Sequence, residues 1–298
     1  MPTRLTRWGA AVLVLAGLTA CGSDDPPQAA RNDVIRFASY DFQENQILAE
    51  LYAEAVKRAG LPVEVEHGIG VREVVAPALE QGVVDVVIEY LGTALVYAQP
   101  PGAELPVAPE EMRELLDQTM VERGIDVLDA ARAEDQNGFA VTTAFASEHR
   151  TGKLSDLAPL APELTFGGPA ECEDRPLCLP GLGKVYGLSF GEFRTMDSRA
   201  ATVEALIAGQ IDVGLLETTD ARLEVAPVTL LIDDRGLQPH ENVVPMVRQE
   251  VVERWGERLT GALDETSSRL TTIGLIRLNQ AVELGGRTPE EAAAEWWG

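Results

Sequence analysis

Ala78-Leu79-Glu80-Gln81-Gly82-Val83-Val84-Asp85-Val86 and Ala205-Leu206-Ile207-Ala208-Gly209-Gln210-Ile211-Asp212-Val213 carry nearly the same pattern 127 residues apart, Ala78 answering to Ala205. Each reads as the end of a helix, a glycine stop and a buried strand, with an aspartate inside the apolar run. Glycine just past a helix supplies the left-handed cap that closes it. A run such as Val83 to Ile88 suits a parallel strand covered on both faces. One unit used twice, spaced far too widely for a solenoid, predicts two similar α/β lobes with a cleft between them. In open α/β sheets ligands sit beyond the carboxyl ends of the strands. Those ends carry Glu89-Tyr90-Leu91-Gly92-Thr93 in one lobe and Leu216-Glu217-Thr218-Thr219-Asp220 in the other, which makes Glu217 the counterpart of Tyr90. Asp85 and Asp212, inside buried strands, are predicted to bind neighbouring backbone rather than ligand.

Outward from the first copy, Val34 to Ser39 reads as a strand, and Asp41-Phe42-Gln43-Glu44 as a capping box opening a helix. That helix has Ile47, Leu48, Leu51 and Ala55 on one face and stops at Gly60. Val63 to Glu66 alternates as a strand, and Glu73 to Gln81 is the helix before the repeat. The result is β-α-β-α-β, the start of a doubly wound lobe. Pro100 to Pro109 reads as a loop and Glu110 to Arg123 as a helix. Strands are predicted at Ile125 to Leu128, Phe139 to Thr143 and Leu164 to Phe166. Around the second copy, a helix over Arg199 to Ala208 precedes a strand over Ile211 to Leu216, and Val228 to Ile232 follows. The remainder reads as mainly helical, near Gln249 to Leu263, Glu265 to Glu283 and Pro289 to Trp297. This block must pack on the first lobe, so the chain crosses twice, near Asp135–Gly138 and near Asp233–Gly236. The predicted first lobe is 34–136 plus 236–298, and the second is 137–235.

Arg4 and Arg7 precede a short apolar stretch from Trp8 to Leu18, and Leu18-Thr19-Ala20-Cys21 follows. The stretch is well short of the ~20 residues that cross a bilayer, so it reads as a secretion signal. The cysteine at the cleavage point makes residues 1–21 similar to a bacterial lipoprotein signal with Cys21 as the lipidated residue. Residues 22–33, rich in Asp, Pro and Ala, read as a flexible tether. In an exported chain Cys172 and Cys178, flanking a proline-containing loop, favour a local disulfide over two free thiols. His67, His149 and His240 show no metal-ligand spacing. A net charge of −24 argues against nucleic acid as a partner.

With residues 33 to 297 laid out this way, the chain resembles the substrate-binding lipoproteins of glycine betaine/choline-type ABC importers, the osmoprotectant-binding family. The likeness is carried by Ala38-Ser39-Tyr40-Asp41-Phe42-Gln43-Glu44-Asn45-Gln46, Glu89-Tyr90-Leu91-Gly92-Thr93-Ala94-Leu95, Thr218-Thr219-Asp220-Ala221-Arg222 and Leu231-Ile232-Asp233-Asp234. Pro245-Met246-Val247-Arg248 and Leu278-Asn279 add to it. The resemblance implies a two-lobe, type II periplasmic-binding-protein-like α/β fold with a ligand cleft between lobes. It implies capture of a quaternary amine by hinge closure, in a box of aromatic rings, and delivery to a membrane permease.

By position, the resemblance places cage rings at Tyr90, Phe139 and Tyr186, with Thr93 as a hydroxyl donor and Glu73 as a further pocket residue. Glu217 stands where a fourth cage tyrosine is expected; an acidic group there suits a cation that donates N–H bonds. Tyr40 and Gln46, at the first helix start, are further contacts. Arg72, Arg194 and Arg222 are candidates for a solute carboxylate, and Arg222 is a candidate partner of Glu217. The expected protein is monomeric, lipid-anchored to the cell membrane on its extracytoplasmic side, and needs no cofactor. No Gly-x-Ser-x-Gly, His-Glu-x-x-His, Gly-x-Gly-x-x-Gly or P-loop pattern marks an enzyme. The rival readings are a binding protein for another metabolite such as ergothioneine, a ligand-sensing lipoprotein, or an enzyme on the same fold.

Overall fold

The computed structural model describes residues 33–298; the signal, Cys21 and nearly all of the tether lie outside them. The strands are β1 (Ile35–Ala38), β2 (Val63–Glu66), β3 (Val86–Tyr90), β4 (Ile125–Val127), β5 (Asn137–Thr142), β6 (Thr165–Gly168), β7 (Glu192–Thr195), β8 (Val213–Glu217), β9 (Val228–Leu231) and β10 (Val243–Arg248). The helices are α1 (Gln43–Arg58), α2 (Arg72–Glu80), α3 (Leu91–Ala98), α4 (Pro109–Val121), α5 (Thr143–His149), a single turn α6 (Leu179–Gly181), α7 (Arg199–Ile207), α8 (Gln249–Trp255), α9 (Glu257–Arg269), α10 (Thr272–Glu283) and α11 (Pro289–Trp297). Among the described residues no helix is long and apolar enough to cross a membrane.

Two five-stranded sheets share one plan. The first has the order β2-β1-β3-β10-β4 and the second β7-β6-β8-β5-β9. In each the three strands of the β-α-β-α-β unit are parallel, and the antiparallel member beside them is the strand that arrives from the other lobe. Each sheet is covered on both faces by an apolar layer. The C-terminal helices lie where the sequence put them: Leu259, Leu263, Leu275 and Ala292 share a core with Ile47 and Leu51 of α1.

The repeat behaves as one unit used twice. Gly82 and Gly209 both take the left-handed conformation, φ 72° and 67°, as a helix-closing glycine does. Asp85 accepts the Arg36 amide at 3.0 Å and its own N–H bonds the Arg36 carbonyl. Asp212 does the same with Thr165, at 2.8 Å. Both aspartates therefore bind backbone, as expected.

Four local readings are corrected. Val83 is 57% exposed, and β3 begins only at Val86 and runs to Tyr90. The helical segments Gln249–Leu263 and Glu265–Glu283 are broken, at Gly256 (φ 58°) and at Leu270–Thr271, where the Thr271 side chain caps α10. Val243–Arg248 is an interior strand, not part of a helical block. The return crossing lies at Gln238–Asn242 rather than at Asp233–Gly236. Asp233 accepts the Leu237 and Gln238 amides, and Leu237 packs in the second-lobe core. The two crossing segments pair through the Glu134–Asn242 bridge and a 2.7 Å bond from Gln136 Nε2 to the Pro239 carbonyl. Gly92 opens α3 against them: a Cβ there would lie 2.4 Å from Pro239 Cγ and 2.7 Å from the His240 carbonyl.

Candidate functional site

β1, β3 and β8 end at the cleft between the lobes, and the loops and helix starts that follow them make its walls. A cavity of about 480 Å³ takes Tyr40, Phe42, Glu44 and Gln46 from the first lobe and Arg199, Glu217, Thr219 and Asp220 from the second. A second cavity of about 710 Å³ adjoins it, and Phe42, Arg72, Pro169, Arg175, Arg199 and Glu217 line both.

The expected capping box at Asp41 and Glu44 does not form. Phe42 is the N-cap of α1 and no side chain caps it. Asn45 orders this turn instead, its Oδ1 accepting the Tyr40 amide and its Nδ2 donating to the Ile88 carbonyl, both at 2.8 Å. This frees Glu44, 5% exposed, to point between the lobes. It accepts the Tyr90 hydroxyl at 2.8 Å, Asn279 Nδ2 at 2.6 Å and the Thr219 hydroxyl in a close bond. One carboxylate thus ties β3, α10 and the loop after β8. Asn279 Nδ2 also reaches the Thr219 carbonyl at 3.1 Å, and Arg222 pairs closely with Glu283. These bonds run from one lobe to the other.

Phe42 forms the centre of an aromatic wall. Its ring centroid is 6.0 Å from Tyr40 on one side and 6.0 Å from Tyr90 on the other. Behind Tyr40, Arg72 lies 5.2 Å from the ring centroid and grips Glu89 in a fork, Nε to Oε1 at 2.9 Å and Nη2 to Oε2 at 2.8 Å. Glu89 also accepts the Tyr40 hydroxyl. The repeat holds here too. Arg72 and Arg199 open α2 and α7, 127 residues apart, and Arg199 pairs with Glu217 at the end of β8. The partner of Glu217 is therefore Arg199, not Arg222.

Negative charge is concentrated at the junction of the lobes. Burial, reinforced by Glu44 and Glu217, pushes the Asp135 carboxyl well above the usual carboxylate range. Burial also raises Glu217, against the pull of Arg199. Glu241 accepts the Thr93 amide at 2.9 Å and the Thr93 hydroxyl, yet burial lifts its pKa to about 7. The folded chain therefore holds this proton across a range where the unfolded chain has lost it, since an unperturbed glutamate ionises near 4.5. Stability from this group falls as pH rises from about 4.5 to 7, by roughly 3 kcal/mol at most. Between about pH 5 and pH 8 the melting temperature of Glu241→Gln is expected to decline less than that of the wild type. Parallel pH profiles would show that Glu241 is ionised throughout.

The candidate residues divide into two groups. Tyr40, Gln46 and Glu217 line the first cavity, and Glu73, Tyr90, Thr93 and Glu217 line the second. Glu73 stands at the rim, paired at 3.3 Å with Arg175 of the disulfide loop across the cleft. Phe139 and Tyr186 line neither. Phe139 is 1% exposed against Phe166 in the second-lobe core, and Tyr186 donates its hydroxyl to Asp233. Arg194 is bound to Glu192 on an exposed strand. Cys172 and Cys178 form a disulfide. Among the described residues no group of three or more His, Cys, Asp or Glu is arranged to hold a metal ion. The sequence reading passed over Phe42, Glu44, Asp135, Arg199, Thr219 and Asn279. Arg199 had a signal as the repeat image of Arg72, and Phe42, Glu44, Thr219 and Asn279 lie in the stretches that carry the resemblance.

Two lobes of identical strand plan, joined by two crossing segments around a cavity walled by both, define a solute-binding protein of the two-lobe class. Comparison with known proteins gives the family. Residues 33–298 match OpuAC, the substrate binding domain of the ABC-type glycine betaine transport system, and the chain belongs to that family. This assigns it to transport rather than to catalysis. The chain is 29% identical over 296 residues to the glycine-betaine-binding protein of Pseudomonas aeruginosa PAO1, covering 95% of this chain and 91% of that one. It is 25% identical over 276 residues to the ergothioneine transport permease/ergothioneine binding protein EgtU of Helicobacter pylori G27, covering 91% of this chain but only 48% of that one. The crystal structure of a glycine betaine/carnitine/choline ABC transporter has the same fold, with a TM-score of 0.70 at 22% identity, covering 88% of this chain and 97% of that one.

Proposed function

We propose that the protein captures a small quaternary ammonium solute of the glycine betaine type in the first cavity and delivers it to the permease of an ABC importer. The observation that carries this is the Phe42 ring, which lines the first cavity with Tyr40 and the buried Glu44 carboxylate and is backed by Tyr90, itself bonded to Glu44, in a cavity walled by both lobes. A trimethylammonium head has no hydrogen to donate, so ring faces and nearby negative charge are what attract it. Each well-placed ring contributes ~0.5–2 kcal/mol. Arg199 serves the carboxylate of a zwitterion, because a guanidinium has five donors and Glu217 engages it only through Nε and Nη2. A solute touching both lobes favours the closed arrangement, and closure is what a permease reads. Export, and anchoring through a lipid on Cys21, belong to the same reading; Cys21→Ser is then expected to leave the membrane fraction.

One observation favours a second reading, an N–H-bearing zwitterion such as ergothioneine. Asn279 is 2% exposed and lines the cavity, yet its Oδ1 has no partner, and an orphaned acceptor is satisfied by a donor on the solute. A thermal-shift screen against glycine betaine, choline, carnitine, proline betaine and ergothioneine separates the two. A solute at 100 times its Kd adds ~2.7 kcal/mol to stability. A shift with a quaternary amine is the expected result. A shift with ergothioneine alone would move the assignment to the second reading.

A further inference from the structure

The cleft has more room than a small betaine fills. Beyond the shared wall of Phe42, Arg72, Arg175, Arg199 and Glu217 lies the larger of the two cavities, about 710 Å³ against about 480 Å³. Cavities of this size elsewhere hold organic ligands many times larger than a methylated amino acid. Its far walls come from both lobes. Val96 and Tyr97 at the end of α3 and Leu105 of the proline-rich turn face it from one, and Pro176 and Leu177 of the disulfide loop from the other. Both disulfide cysteines lie in this wall, and the Glu73–Arg175 pair joins the two sides at the rim. Its lining combines the apolar side chains of Val96, Leu105, Pro176, Leu177 and Leu215 with the charged groups Asp135, Glu217 and Glu241.

We infer that this second cavity is an annex for the arm of an extended solute, a quaternary ammonium compound with an acyl or alkyl chain. The inference rests on the quaternary ammonium reading above. Phe42 belongs to both cavities, so a head held against that ring has one side open to the annex. The chain of the solute then runs over the shared wall onto Val96, Leu105, Pro176 and Leu177. Because the annex is walled by both lobes, a solute filling it gains contacts only as the lobes close, so chain length sets affinity through the closed state. The disulfide loop thereby acquires a part in specificity, holding one wall of the annex in place.

Isothermal titration of the protein with choline, acetylcholine, butyrylcholine and hexanoylcholine tests this. Kd is expected to fall along the series, by up to about fourfold for each methylene buried and by at least about tenfold from choline to hexanoylcholine. Val96→Trp and Ala103→Trp each add bulk to the annex wall from a different element, and the hexanoylcholine-to-choline preference is expected to collapse towards one in both. A flat or rising Kd along the series, with choline bound, overturns the annex and leaves the quaternary ammonium reading standing. A preference that survives both tryptophan variants overturns it too, because the arm would then lie elsewhere. Absence of binding by choline, its esters and glycine betaine alike would overturn the underlying reading instead.

Discussion

Glu44→Ala is expected to weaken solute binding by about a hundredfold or more, equivalent to ~2.7 kcal/mol, and to lower the melting temperature as well. The reason is the number of donors that converge on one buried carboxylate. Tyr90, Asn279 and Thr219 all donate to it, from β3, α10 and the loop after β8. Alanine would leave the buried Tyr90 and Thr219 hydroxyls without their acceptor, each costing about 1–3 kcal/mol, and Asn279 Nδ2 with only the Thr219 carbonyl. It would also remove the negative charge beside the aromatic wall and free the Tyr90 ring to move. Thr219→Val separates these effects, since it deletes only the hydroxyl bond between lobes. It is expected to weaken binding by about tenfold, or ~1.4 kcal/mol, with little change in melting temperature. Unchanged affinity in Glu44→Ala, measured by calorimetric titration, would remove Glu44 from the site.

Glu89→Ala is expected to cost the fold about 3–5 kcal/mol. Arg72 and Glu89 have side chains only 9% and 5% exposed. Removing the carboxylate strands a guanidinium in the interior, and the Tyr40 hydroxyl and Tyr90 amide lose their acceptor with it. For a chain of this size each kcal/mol shifts melting by roughly 2–4 °C, so a fall of about 6–20 °C should be seen. Arg72→Met with Glu89→Leu removes both charges and is expected to recover most of that loss, because a buried pair is costly mainly when half of it remains. A Glu89→Ala protein melting within about 2 °C of wild type would mean that water or a second acceptor reaches Arg72. The double variant separates stability from recognition: it should stand heat nearly as well as the native chain and still bind solute poorly.

The architecture was readable where a pattern repeats or alternates. Ala78 to Val86 and Ala205 to Val213 foretold the shared strand plan, the glycine caps and the backbone role of both aspartates. The misreadings have physical causes. Val243–Arg248 lies deep in a sheet between β3 and β4, and a fully buried strand lacks the alternation that marks a half-exposed one. Leu91–Ala98 follows β3 without a break, so no start signal separated α3 from the strand and no helix was read there. Asp41-Phe42-Gln43-Glu44 has the spacing of a capping box, but local spacing cannot register the pull of Tyr90, Thr219 and Asn279, the latter two 175 and 235 residues away. The same limit applies to Phe139 and Tyr186. Resemblance by position found aromatic residues at the right places in the chain, and the structure packs both into the second lobe.

The strand plan also dictates an order of assembly. The second sheet is drawn from one uninterrupted stretch of chain, Asn137 to Leu231, whereas the first waits for β10 to enter between β3 and β4. Until Val243–Arg248 has been synthesised, β3 presents a bare apolar edge, and such edges invite pairing with other chains. The pairing of β3 with β10 spans more than 150 residues, a closure that is intrinsically slow. A chain cut short before Val243 would keep a complete second lobe beside an unfinished, adhesive first one. The late strand thus keeps the first lobe open until Val243–Arg248 has been made.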